Sequence, residues 1–499
     1  MTRVWMRELS GWILAAAISL ISVGAVAASP RAELLFRDGD SLVVAMLARS
    51  VLSGQPLDWA MSSVLFVPES AAFTALDIVL PLGTNGVLAA TAVVNLLALY
   101  GAIRLAAGRS RPGHAPVTWS LLALGAFGAS AMTEVSSSRD ALDLASLQAT
   151  TTYYAATVVA VVLAVGLVRR ILDRESRSPA MVVALAVVVL VSTFSNPLFL
   201  AWGVVPVMLV LGVLGVRAPL RTRILMLSAL LLGAAAAGML ARIPFAAWIA
   251  NTGAGYARPS HWRDSAEYYA GLLGDRIASP SGLVGLLIIG ALLALAVVRT
   301  MRSSDLGERL VAISAWAMPL LVVVGAVALG THATRYLQPL AFAPVLALVA
   351  SPKTLRVPAD LRRRTAAVAG VVLLMGGAVS LPRIVAAASA PDADLACVTD
   401  WVDASGRTGA GQFWTVRLPK LHLEDPSQLV QVDHRLNAYA WLVNRHDADV
   451  GEVSFLVEDS QTVPWELPQS VVPTDIIDCG RYSIRDFGTS LLPIGPAHS

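Results

Sequence analysis

Between Arg276 and Arg299 the chain runs for 22 residues without a charged side chain. About 20 apolar residues carry an α-helix across the hydrocarbon core of a bilayer, where every backbone polar group must be satisfied within the segment. Comparable runs recur near residues 11–29, 82–107, 115–132, 152–170, 180–195, 198–216, 222–241, 281–299, 309–330, 335–351 and 365–387. The repetition predicts a polytopic α-helical membrane protein with about eleven transmembrane helices. Composition agrees: 56% of the 499 residues are hydrophobic and only 14% charged, against roughly 25% charged in soluble domains. Arg3 and Arg7 precede the first run and "AVAAS" closes it, so cleavage as a signal segment is the alternative there.

Arginines predict the orientation. Arg3 and Arg7 fall on the same side as Arg104, Arg109 and Arg111, then Arg169, Arg170, Arg174 and Arg177, then Arg217, Arg221 and Arg223. Arg299, Arg302 and Arg309, then Lys353, Arg356, Arg362, Arg363 and Arg364, continue the series. Positively charged short loops stay in the cytoplasm. The expectation is a multi-pass plasma-membrane protein with its N-terminus cytoplasmic and residues from about 390 onward extracytoplasmic. The net charge of +3 is small, and no basic run interleaved with aromatics points to nucleic acid. The only cysteines, Cys397 and Cys479, both lie in this tail. An oxidising compartment predicts one disulfide between them, two buried thiols being the alternative.

The chain divides into a membrane domain, 1–389, and a small extracytoplasmic α+β domain, 390–499. External segments are expected at about 30–81, 133–152 and 242–280. In the first, "SLVVAMLARSVLSG" is too short to span and reads as an interfacial helix stopped by Gly54. "PESAAFTALD" reads as a second short helix opened by Pro68. In the tail, "DLACVTDWVDA" and "RLNAYAWLVNR" read as helices, and "QFWTVRL", "VSFLVED" and "RYSIRDF" as strands. Trp401, Trp414, Trp441 and Trp465 are core candidates or sugar-stacking faces.

Chemistry centres on "LFRDGDSL", residues 35–42. One reading is a Gly39 turn in which Asp40 or Ser41 caps the next helix. The other is a functional carboxylate at the membrane surface, since a carboxylate near lipid is costly unless paired or useful. Asp38 and Asp40 also have the Asp-x-Asp spacing that suits Mg²⁺ or Mn²⁺, and the cofactor stays open between these metals and none.

The same stretch resembles the acidic motif of GT-C superfamily membrane glycosyltransferases. In the branch holding protein O-mannosyltransferases and lipid A aminoarabinose transferases, it reads roughly D-E-x-x-x-A-x-x-A-R, then a Gly and an Asp-Trp. Here Asp40 is followed by Ala45, Ala48-Arg49, Gly54 and Asp58-Trp59; Ser41 replaces the Glu, and the approach to Asp58-Trp59 is shifted. The resemblance implies a GT-C-like fold, a polyprenyl-phosphate-linked sugar donor among the membrane lipids, and a cell-envelope glycan, lipid or protein acceptor. It implies hexosyl or pentosyl transfer with Asp40 as general base or metal ligand and Asp38 as its helper. The leaving phosphate then needs positive partners. Arg335 and His332 in "GTHATRYLQPL", and Arg258 and His261 in "GYARPSHWRD", are the candidates. Against them stand snorkelling of Arg335 and a local pair of His261 with Asp264. Glu134 is the foremost second acid, with helix capping as its plain reading. Two alternatives remain: a non-catalytic GT-C-like envelope protein, to which Ser41 points, and a transporter or flippase of lipid-linked sugars. Against the last, there are no paired halves and few charges within the apolar runs.

Overall fold

The computed structural model describes residues 2–173, 178–215, 221–354, 358–467 and 471–499. Arg174, Arg177, Arg217 and Arg356 of the orientation series lie outside the described residues. Contacts divide the chain into two units. The first comprises Met1–Ala32, Ala89–Ile243 and Ala254–Ala388; the second comprises Glu33–Leu88, Pro244–Gly253 and Ser389–Ser499. Two further segments, residues 33–88 and 244–253, thus fall in the same unit as the tail.

The first unit is helical. Among the described residues, seven helices are long and apolar enough to cross a membrane: Val4–Ala27, Thr84–Ala106, Ala155–Leu172, Arg221–Leu240, Pro280–Arg302, Leu306–Ala328 and Asp360–Ala388. Shorter apolar helices Pro116–Met132, Pro179–Ser195, Leu200–Gly215 and Thr334–Ala350 lie where the remaining runs were expected. The last is interrupted. It comprises a 3₁₀ turn Thr334–Leu337, a short helix Pro339–Phe342 and another, Leu346–Ala350, because Pro339 and Pro344 cannot donate to a continuous ladder. Only 17% of the most apolar window of Asp360–Ala388, and 22% of that of Pro280–Arg302, is buried within the protein. Apolar faces that large are compatible with a multi-pass membrane protein, whose surrounding is not water. Small residues let the first and last long helices approach closely: a Cβ on Gly377 would lie 3.0 Å from the Ala17 Cα.

The second unit is built on a seven-stranded sheet. Gly409–Gln412 sits at its centre, parallel to Leu429–Val432 on one side and Phe455–Glu458 on the other. Tyr482–Asp486 and Asp475–Cys479 follow antiparallel beyond Phe455–Glu458. Asn437–Tyr439 and Gly495–His498 extend the opposite edge. Alternation along the strands covers both faces: Leu429, Phe455, Val457 and Ile484 pack with helix Ala393–Ser405, while Val430, Val432 and Leu456 pack on the reverse face with Phe487. Trp401 joins the first cluster, its ring edge-on to Phe455 at 4.9 Å. Cys397 and Cys479 form the expected disulfide, tying that helix to the edge strand.

Two expectations fail here. Residues 413–422, read partly as a strand, form helix Phe413–His422, because parallel neighbours Gly409–Gln412 and Leu429–Val432 require a crossover between them. "RLNAYAWLVNR" is not helical: it supplies strands Asn437–Tyr439 and Val443–Asn444, each entered through a leucine at positive φ, Leu436 (63°) and Leu442 (54°). Pairing with other strands outweighs the local periodicity.

Residues 33–88 are woven into this unit. Trp59–Ala60 pairs antiparallel with Val443–Asn444, and Met61 exchanges backbone hydrogen bonds with Trp248 and Ala250. Helix Val43–Leu52 is followed by Gly54 at φ 70°, and helix Val67–Val79 carries Pro68 in its first turn, both as expected.

Candidate functional site

The acidic turn links helix Ala32–Phe36 to helix Val43–Leu52. Asp38 is buried, and its Oδ2 accepts the Ser41 N–H at 3.3 Å. Asp40 is half-buried, so it is the acid of the pair that solvent reaches. Leu42, rather than Asp40 or Ser41, occupies the N-cap position of the following helix. Ser41, at the position where the resembling motif has Glu, is fully buried.

Arg417, on helix Phe413–His422, lies against this turn. Its Nε donates to the Gly39 carbonyl at 2.7 Å, and its Nη1 donates to the Leu442 carbonyl at 2.7 Å and to Gln431 Oε1 at 3.3 Å. Nη2 is buried with no hydrogen-bond partner among the described residues. The guanidinium also lies over the Phe413 ring, 4.8 Å from its centroid. Full burial pushes Arg417 down to about 10, and the charges of Asp40 and then Asp38 oppose that shift. Gly39 leaves no spare room: a Cβ there would sit 3.1 Å from Arg417 Cδ and 3.2 Å from Trp414 Cε3.

The rest of the motif is structural in this geometry. Arg49 donates to the carbonyls of Leu421, Leu423 and Glu424 at 2.5, 2.5 and 2.9 Å, satisfying the C-terminal end of the helix that carries Arg417. Asp58 pairs with Arg445 at 2.8 Å, and Trp59 Nε1 donates to Ser50 Oγ. Lys420, one turn beyond Arg417, is buried and bonded to the Pro426 and Leu429 carbonyls and to Asp447 at 3.0 Å.

In the first unit, Glu134 is buried, accepting the Ala145 and Ser146 N–H groups at 2.9 and 2.6 Å, with Arg276 Nη2 at 3.7 Å. Arg276 also pairs with Asp143. Burial lowers its pKa against the opposing charge of Glu134. Arg31 donates to the carbonyls of Ser136, Ser138 and Asp143 and to Ser146 Oγ. Two arginines thus strap the 133–152 segment, and Glu134 serves as a capping group within it.

The four expected phosphate partners form one neighbourhood. Arg258 N–H donates to the Leu329 carbonyl, and Gly330 packs on the Arg258 carbonyl. The Tyr268 ring meets His332 edge-on, centroids 5.1 Å apart, and places its hydroxyl 3.1 Å from Thr334 Oγ1, next in sequence to Arg335. Arg335 is half-buried, while His332, Arg258 and His261 are exposed. His261 Nδ1 lies 2.8 Å from Asp264 Oδ2, the local pair weighed above. Arg258 Nε donates to the Gly255 carbonyl at 3.2 Å.

Asp38 and Asp40 do not fit a resident Mg²⁺ or Mn²⁺. Asp38 spends one oxygen on Ser41, a buried guanidinium rather than a third acid faces the pair, and among the described residues no group of three or more His, Cys, Asp or Glu is gathered for a metal.

Sequence reasoning missed Arg417 because its segment reads as a strand, and it missed Arg31 and Arg276 because neither sits in a motif. One signal was present: Arg31 directly follows an apolar run, where a cation needs a reason to be. No protein-family model matches the chain, and no curated protein matches it.

Proposed function

We propose that the chain is a GT-C-type glycosyltransferase of the plasma membrane. In this reading about eleven helices cross, the N-terminus is cytoplasmic, and the second unit faces outward. It moves a hexosyl or pentosyl group from a polyprenyl-phosphate carrier to an extracytoplasmic envelope acceptor. The acceptor oxygen or nitrogen bonds to the anomeric carbon, and the bond from that carbon to the phosphate oxygen breaks. Its electron pair leaves on the phosphate, and the acceptor proton passes to Asp40. The exposed and half-buried cations Arg335, His332, Arg258 and His261 are the partners proposed for the phosphate.

The observation that carries the reading is the acidic turn. It holds one carboxylate, Asp40, half-buried beside the buried Asp38, with the Gly39 carbonyl between them bonded to a buried guanidinium. Asp40 also holds the motif spacing to Ala45, Ala48 and Arg49. One departure favours the non-catalytic alternative: Ser41, in place of the motif Glu, is buried away from solvent.

The test is reconstitution of the full chain in liposomes containing polyprenyl-phosphate-linked pentose or hexose donors. Release of polyprenyl phosphate coupled to a new glycoside supports transfer. Donor crossing the bilayer uncleaved would replace the reading with a flippase, and neither outcome would leave an envelope protein without catalysis.

A further inference from the structure

We infer that Arg417 is the positioning residue for Asp40, so that a residue of the C-terminal part of the chain sets the catalytic carboxylate within the same unit. The inference rests on the transfer reading above.

Within the turn, Asp38 Oδ2 accepts the Ser41 N–H at 3.3 Å, and the central residue is a glycine. A further constraint comes from 378 residues away in the chain: the Arg417 Nε–H bond to the Gly39 carbonyl, between the two acids. Trp414, one turn earlier on the same helix, packs beside Arg417 against the same side of Gly39. The constraint is reciprocal. Arg49, on the helix that the turn begins, caps the helix that carries Arg417. Neither helix is therefore placed without the other.

Arg417 is poorly chosen as a mere spacer. A guanidinium taken wholly out of water is costly, and an apolar residue of similar volume fills such a site at least as well. Its use of only Nε and Nη1, with Nη2 left over, is a further cost. What an apolar residue cannot supply is a directed hydrogen bond to the turn plus a fixed positive charge beside both carboxylates. The directed bond serves a base that must be aimed at one acceptor proton. The guanidinium itself is buried, so it acts through the turn and not on substrate.

The experiment compares full-length wild type, Arg417→Lys, Arg417→Met and Arg417→Ala in liposomes, measuring kcat and the donor KM. The Met variant should lose about 100-fold in kcat, the cost of a reacting group displaced by roughly 1 Å, with KM changed less than about threefold. Added guanidinium should restore the Ala variant by roughly tenfold or more, and Lys should fall between Met and wild type. In parallel, carbodiimide labelling of Asp40 should change several-fold between wild type and Met, with the same proteolytic pattern. A Met variant with wild-type kcat and unchanged Asp40 labelling would overturn the assignment while leaving transfer intact. So would loss of the folded domain in both Lys and Met variants, which would make the role structural. Wild type without turnover would instead remove the parent reading, and the labelling comparison would still decide whether Arg417 sets the turn.

Discussion

Replacing both Cys397 and Cys479 with alanine should loosen the whole sheet of the second unit, because the bridge closes a loop that contains its central strands. The cysteines are 82 residues apart, and Gly409–Gln412, Leu429–Val432 and Phe455–Glu458 all lie between them. In the chain-entropy account, closing such a loop removes about 15 cal/mol/K from the unfolded chain, or about 4.5 kcal/mol at 25 °C. Core packing changes less: Cys479 is buried among Val398, Val402, Phe455 and Tyr482, and alanine leaves only a small gap there. Amide hydrogen exchange of the full chain in lipid nanodiscs reads the effect strand by strand. Amides that exchange only when the sheet opens should lose about three decades of protection, at 1.4 kcal/mol per decade. Protection within about tenfold of wild type would show that the bridge is not what limits opening, and the loop-closure argument would fail.

Acidification gives a second test. Burial first, then the charge of Arg49, lowers His422 from its ordinary 6.5, and Asp392 only partly opposes this; its buried Nε2 has no hydrogen-bond partner among the described residues. The unfolded chain then binds the proton more readily, so stability is complete above about pH 6.5 and falls as the pH drops below it. His422→Gln should remove that part of the pH dependence in exchange measured at pH 7.5 and 5.5; an unchanged slope would contradict it. Asp486, held down by its hydrogen bonds with Arg407, titrates later, its contribution being lost only below the ordinary 3.8. Arg49→Met removes three charged hydrogen bonds to carbonyl oxygens, and helix Phe413–His422 should lose about 3 kcal/mol of local stability. Arg49→Lys should recover part of it, and equal protection in the Met variant would show that the cap contributes nothing.

The membrane helices were legible in the sequence because a bilayer selects on length and composition, which a single chain displays directly. The broken segment at 334–350 was less legible: its apolar content reads as one span, and only Pro339 and Pro344 mark the interruptions. The tail misled at the places where distant pairing decides. Residues 413–418 alternate like a strand, yet they begin a crossover helix because residues 409–412 and 429–432 lie parallel. Asp40 was singled out in the sequence by its spacing to Arg49, the approach to Asp58-Trp59 being shifted. The role of Arg49 was not, since the carbonyls it satisfies belong to residues 421–424. Arg417 was hidden for the same reason: no local pattern joins it to a glycine near the N-terminus.

Asp40→Asn tests the central claim most directly, because it removes the base while keeping the shape of the turn. Wild type and variant should be reconstituted at equal density and compared for coupled release of polyprenyl phosphate. The hydrogen-exchange pattern of the second unit should remain that of wild type. A general base is worth roughly 10²–10⁴ in rate, so transfer should fall by at least about 100-fold. Transfer by the Asn variant within about threefold of wild type would contradict the account, because a group needed to take the proton cannot be dispensable.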